Sequence, residues 1–154
     1  MMHQVSSIPR PALVLGLGGL LPFLATAVAA WVYADLSGAA TNEAIFALGG
    51  YGAVILSFLG GVRWGKLLDD DTRLRQWRPL TMSIVPSLVA WAALLLPPSS
   101  MLLLLITGFA CQLALDYAAA RRGELPDWFV TLRLILTGGA VFSLLVALVA
   151  LTVR

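Results

Sequence analysis

The chain has 154 residues, of which 60% are hydrophobic and only 12% charged. One soluble core of this length cannot bury so much apolar surface, so a bilayer has to cover the remainder, and a water-soluble globular domain is excluded. The formal charge of +2 comes from basic residues grouped in short loops between hydrophobic segments rather than on one soluble face, a topology signal and not a nucleic-acid surface.

Hydropathy divides the chain into five stretches, each near the roughly 20 residues that a spanning helix needs. The first, residues 11–34, follows Arg10 and carries Ala25, Ala27 and Ala29, a pattern akin to a signal peptide with its cleavage site. Its apolar run of about 23 residues is long for a signal core, and no Arg- and Ser-rich presequence precedes it, so a retained span is expected. The run Gly16-Leu17-Gly18-Gly19-Leu20 lacks the strand-loop-helix setting of a phosphate cradle and reads as packing. Pro22 removes one helix hydrogen bond and frees the carbonyl of Gly18, which predicts a kink.

The second stretch, residues 44–65, is the most informative. Gly49, Gly52, Leu56, Gly60 and Arg63 recur at spacings of three and four and share one helix face. Gly61 and Gly65 form a small-xxx-small pair on the neighbouring face, so all these glycines are expected to pack against other helices. Between spans two and three, Asp69-Asp70-Asp71 precede Arg73, Arg75 and Arg78. A divalent-metal site would need a second set of carboxylates at fixed spacing, so a solvated charged loop is expected and no metal.

The third stretch, residues 80–96, is the shortest. Pro86 within it frees the carbonyl of Met82 and predicts a second kink, and Pro97-Pro98-Ser99-Ser100 makes a tight turn to the fourth, residues 101–119. In that fourth stretch Gly108, Gln112 and Asp116 follow one another at intervals of four and give a small, polar face that looks into the bundle. Cys111, the single cysteine, can form neither an internal disulfide nor a multi-thiolate metal site. The fifth stretch, residues 128–153, carries Arg133 about five residues in. Five stretches do not divide into two equal halves, which disfavours an inverted-repeat transporter.

Counting basic residues gives Arg10, Arg63, Lys66, Arg73, Arg75, Arg78, Arg121, Arg122 and Arg133 on one side and Arg154 on the other. That asymmetry predicts a cytoplasmic amino terminus and an external carboxyl terminus, with only Asp35, Glu43 and short connections outside. Trp31, Tyr33, Trp64, Trp77, Trp91, Tyr117 and Trp128 fall near predicted interfaces and read as anchors. The expected fold is thus all-α, a single polytopic domain of about five transmembrane helices.

Chemistry is sparse. The only histidine is His3, outside every span, which excludes a bis-histidine haem, a histidine-based metal centre and an intramembrane Ser-His dyad. Arg63, Asp116 and Arg133 all lie near the cytoplasmic ends of their spans, at depths where they could meet. A buried ionic cluster binding an anionic headgroup is one reading; snorkelling arginines with an Arg–Asp pair that serves assembly is the other.

The segment Tyr51-Gly52-Ala53-Val54-Ile55-Leu56-Ser57-Phe58-Leu59-Gly60-Gly61-Val62-Arg63-Trp64-Gly65 closely resembles a family of small bacterial and mitochondrial membrane proteins of unknown function that includes transmembrane protein sixty-nine. The proline- and glycine-bearing stretch from Arg10 to Pro22, and Leu125-Pro126-Asp127-Trp128 leading to Leu132-Arg133-Leu134 and Thr137, extend the resemblance over nearly the whole chain. It implies a five-helix fold in a bacterial inner membrane and no established reaction. The position of Arg63 is often histidine in that family, so this chain departs from the pattern there. Ser57, Gln112, Arg63, Asp116 and Arg133 are the candidate polar residues.

The expectation is a non-enzymatic, cofactor-free protein that packs against, or helps assemble, a larger membrane complex through its glycine-lined faces. Its partners would be membrane lipid and other membrane subunits or further copies of itself. The alternative is a small carrier or lipid-binding protein whose polar site lies at the cytoplasmic side.

Overall fold

In hydrocarbon every backbone amide needs an internal partner, and apolar runs of this length meet that demand as helices. The computed structural model describes residues 7–34, 38–69 and 71–152, without the side chains of Asp71 and Arg73. Expectations that rest on His3, Asp35, Asp70, Val153 and Arg154, or on those two side chains, lie outside the described residues. Among the described residues all regular structure is helical.

The elements are α1 (Arg10–Gly18), α2 (Leu21–Ala34), α3 (Gly38–Leu67), the short α4 (Asp71–Leu74), α5 (Trp77–Leu94), α6 (Pro98–Arg121) and α7 (Asp127–Thr152). Four segments are long and apolar enough to cross a membrane: Arg10–Ala34, Gly38–Leu67, Pro98–Arg121 and Asp127–Thr152. The fifth, α5, has 18 residues, about 27 Å of helix against a hydrocarbon core of roughly 30 Å. It begins at Trp77 rather than at residue 80, so Arg78 and Pro79 occupy its first turn, where a missing N–H costs nothing. Likewise α6 begins at Pro98, inside the expected turn, because proline is preorganised for the first helical position.

The helices close a ring in the order α2, α3, α5, α6, α7, with α3 also packed on α6 across the middle. The contacts follow from small residues. Gly49 of α3 receives the side chain of Met101 from α6, while Gly108 of α6 receives Leu56 of α3, whose Cδ2 stands 2.6 Å from where a Cβ would be. The same exchange joins α1 to α7: Leu136 fills the notch at Gly16, and Leu20 fills the notch at Gly139 at 2.7 Å from the Cβ position. At Gly60 the approach is closer still, because a Cβ there would collide with the backbone carbonyl oxygen of Ser83 in α5, one turn before Pro86.

Two expectations need correction. Gly61 and Gly65 do not pack within the chain: a Cβ at either would meet nothing within 4 Å among the described residues. The face that turns Gly49, Gly52 and Gly60 inward necessarily turns these two outward. The first span is also broken rather than kinked, with α1 ending at Gly18 and α2 starting at Leu21. Pro22 has no N–H to continue the ladder, and two consecutive glycines hold the helix weakly. Leu20 N donates to Leu17 O at 3.0 Å, tightening the last turn, and the hydroxyl of Tyr51 donates to the carbonyl of Gly19 at 2.9 Å.

The connection from α6 to α7 is a Schellman turn. Gly123 takes φ +73, Gly123 N donates to Ala120 O at 2.8 Å and Glu124 N to Ala119 O at 3.0 Å, satisfying carbonyls that the helix end would leave open. Lys66 at the end of α3 donates to the carbonyl of Glu124, which ties this turn to α3.

A pair of substitutions one residue apart tests the packing. Gly60→Ala drives a methyl group into the Ser83 carbonyl and should destabilise the protein by about 1–3 kcal/mol, whereas Gly61→Ala should stay within about 0.5 kcal/mol of the natural chain. Thermal unfolding in one detergent measures both, and equal effects would contradict the α3–α5 register.

Candidate functional site

At the basic end of the bundle three helices present one charged residue each. The spacing of four that carries Gly108 against Leu56 also turns Gln112 and Asp116 inward on α6, where both are buried. Arg63 approaches from α3 and Arg133 from α7. Arg63 Nη2 donates to Asp116 Oδ1 at 3.0 Å, and Arg133 Nε donates to Asp116 Oδ2 at 2.9 Å. Both carboxylate oxygens are therefore engaged, each by a different helix.

The side chains of Asp116 and Arg133 are 8% and 6% exposed, and that of Arg63 is 25% exposed. Arg63 thus reaches towards the interface, as a snorkelling arginine does, while the other two are withdrawn from it. Two cations against one anion leave the cluster with a net charge of +1. Removing ions from water costs several kcal/mol each, and only good geometry and further hydrogen bonds offset that cost.

Here the offset is incomplete. Arg63 Nε, Arg133 Nη2 and Thr137 Oγ1 are buried with no hydrogen-bond partner among the described residues. Arg133 and Thr137 are four apart and share one face of α7. Both line a cavity of about 290 Å³ bounded by Leu15, Gly16, Gly19 and Leu20 of the first span, Phe23 of α2, Ile55, Phe58 and Leu59 of α3, and Phe109 of α6. Every other lining side chain is apolar, so the cavity is a hydrocarbon cleft with a cationic, hydrogen-bond-donating end.

The break in the first span makes room for this cleft. After Gly18 the chain turns, and α1 packs on α7 rather than on α3. Phe23, buried under the break, stands edge-on to Tyr51 at 4.9 Å and to Phe109 at 6.0 Å between ring centroids, forming an aromatic floor. Gly19, whose carbonyl accepts from the Tyr51 hydroxyl, lines the cleft with Phe23 and Phe109.

Of the candidate polar residues, Arg63, Asp116 and Arg133 form one cluster, and Arg133 alone of them lines the cavity. Gln112 is buried one turn from Asp116 but does not line it. Ser57 is half-buried on α3 and lies outside both the cluster and the cavity lining. Thr137 and Tyr51 emerge only from the structure; the one sequence signal for Thr137 was its interval of four from Arg133.

A family model described as a protein of unknown function, DUF3429, matches residues 8–149. Transmembrane protein 69 of Xenopus tropicalis is 42% identical over 149 residues, which is 96% of this chain and 57% of that protein. Transmembrane protein 69 of Mus musculus is 32% identical over 144 residues, 92% of this chain and 56% of that protein. The chain thus spans somewhat more than half the length of these relatives. No solved structure matches it.

The stoichiometry of the cluster orders the cost of its substitutions. Asp116→Asn leaves two buried guanidiniums without their counter-ion and should cost about 3–5 kcal/mol. Arg133→Met leaves the Arg63–Asp116 pair, neutral overall, and should cost less than Asp116→Asn. Unfolding of the purified variants in mild detergent tests this order, and the reverse order would mean that Asp116 does not hold both arginines.

Proposed function

The chain belongs to the DUF3429 family of proteins of unknown function, and from that premise we propose that this multi-pass membrane protein is a non-enzymatic binding protein for an anionic membrane lipid. The observation that carries the reading is that Arg133 and Thr137, whose Nη2 and Oγ1 are buried without a hydrogen-bond partner among the described residues, are the two polar side chains among the residues lining an otherwise apolar cleft. A small apolar pocket with a few convergent polar groups is the usual form of a small-molecule site, and ionisable residues at membrane depth are expensive enough to mark function. Residence in the bacterial inner membrane, with the basic end in the cytoplasm, belongs to the same reading and draws support from the strong bias of Lys and Arg to that end.

A second reading, an accessory or scaffold subunit of a membrane complex, is favoured by a different observation. Gly61 and Gly65 are exposed on α3 with open space around them, and a small-xxx-small face in a bilayer suits close approach by another helix.

One purification separates the two. The tagged protein is taken from its own membranes in mild detergent, and its lipids and co-purifying proteins are identified by mass spectrometry for the natural chain, Arg133→Met and Gly61→Leu. The binding reading expects an anionic lipid that falls several-fold with Arg133→Met and is unchanged with Gly61→Leu. A stoichiometric protein partner lost with Gly61→Leu, with no lipid dependent on Arg133, would replace it by the scaffold reading.

A further inference from the structure

The lipid-binding reading leaves open what kind of lipid the cleft takes, and its shape, depth and polar end narrow the answer. The charge cluster is short of one negative charge, and each of its unpartnered groups can donate: Arg133 Nη2, Arg63 Nε and the hydroxyl of Thr137. Each oxygen of Asp116 already accepts from an arginine, so two guanidiniums share the one carboxylate of the cluster. A zwitterionic headgroup would add a third cation to that excess. A compact anion, by contrast, offsets the excess positive charge and can take hydrogen bonds from Arg133 and Thr137 together, the charge-assisted kind that are strongest.

Depth and direction agree with a lipid entering from one leaflet. Arg133 lies six residues into α7, about 9 Å along the helix axis, which is headgroup-to-glycerol depth for a helix that begins at the interface. From Arg63 to Tyr51 is twelve residues of α3, about 18 Å, so the Tyr51–Gly19 bond sits near mid-bilayer. One leaflet of the roughly 30 Å hydrocarbon core is about 15 Å deep. A chain whose head is held at Arg133 would therefore run past Ile55, Phe58 and Leu59 and end against the aromatic floor.

Size limits the number of chains. The cavity of about 290 Å³ is at the lower end of the roughly 300–1,000 Å³ of small-molecule sites. It does not widen towards α7, because Leu136 and Leu20 already fill the notches at Gly16 and Gly139. Its open flank lies between α1 and α3, where Leu15 is 76% and Phe58 63% exposed, an apolar doorway facing lipid rather than water. Resting on the lipid-binding reading, we infer that the cleft between α1, α3 and α7 binds a single-chain anionic amphiphile, its carboxylate or phosphate monoester on Arg133 and Thr137 and its one acyl chain along α3.

The test uses the full chain, delipidated in detergent and titrated by native mass spectrometry. Four probes are compared: hexadecanoate, lysophosphatidate, dioleoyl phosphatidylglycerol and inorganic phosphate. Hexadecanoate or lysophosphatidate should bind once per chain, and affinity should fall about five-fold in Thr137→Val and ten-fold or more in Arg133→Met. Thr137→Val removes only a hydroxyl and leaves both ion pairs in place, so its effect does not depend on the cluster surviving substitution. Equal or tighter Arg133-dependent binding of phosphatidylglycerol would overturn the single-chain inference and leave the lipid-binding reading standing. Inorganic phosphate binding as tightly as the amphiphiles would overturn it in favour of a plain ion site. Binding of every probe indifferent to Arg133→Met and Thr137→Val would end both.

Discussion

The carboxylate of Asp116 is the interaction on which the rest of the bundle depends. In a bilayer the hydrophobic effect does not hold helix to helix, because lipid is as apolar as the side chains it would replace. Association falls to close packing and to polar contacts that have no better partner. Asp116 supplies the second kind twice at once, joining its own α6 to α3 and α7 through Arg63 and Arg133. Since the carboxylate can be reached by both arginines only at one relative height of the three helices, it also fixes their register, and the notch at Gly108 must then meet Leu56 where it does.

The glycine notches supply the first kind of contact, and they do so in exchanged pairs. Each partner of a pair offers one notch and one knob, α3 with α6 and the first span, through Gly16 of α1 and Leu20 just after it, with α7, so axial sliding is resisted in both directions. The consequence for the site is geometric. The α1–α7 exchange draws α1 away from α3, the break at Gly18–Gly19 lets α2 return to α3 below it, and the cleft is the space between. A straight first helix packed on α3 would have filled it with its own side chains.

What was legible in the sequence divides along a physical line. Charges inside apolar runs are rare and costly, so Arg63, Asp116 and Arg133 stood out, and positive-inside counting brought them to one end. The inward face of Gly49, Gly52 and Gly60 was legible because small residues recurred at helical spacing. The outward position of Gly61 and Gly65 was not, because a transmembrane helix is apolar towards lipid and neighbour alike and carries little of the polar–apolar contrast that orients a soluble helix. Periodicity also says which residues share a face and not which distant residue meets it. Thus Tyr51 on Gly19, Met101 at Gly49 and the stranded hydroxyl of Thr137 required coordinates. Proline at position 22 announced a disturbed helix, but the partner that the carbonyl of Gly19 finds there, the Tyr51 hydroxyl 32 residues away, was not legible.

Stability alone gives no account of the cluster's composition. Well-packed hydrophobic residues of similar volume generally serve a buried site as well as an ion pair does, or better, and a matched Arg–Asp pair would tie two helices with no net charge. This chain instead keeps a third charged group that unbalances the pair, holds it only 6% exposed, and leaves one of its amino groups and the hydroxyl one turn on buried without a partner among the described residues. Each of those features costs free energy. An anion with a hydrocarbon tail offsets all three together: it balances the charge, accepts from the two stranded donors, and covers apolar walls that side chains leave open. Under the proposed lipid binding, the excess arginine is explained by the anion that the cleft would receive, whereas helix assembly explains only the other two members of the cluster.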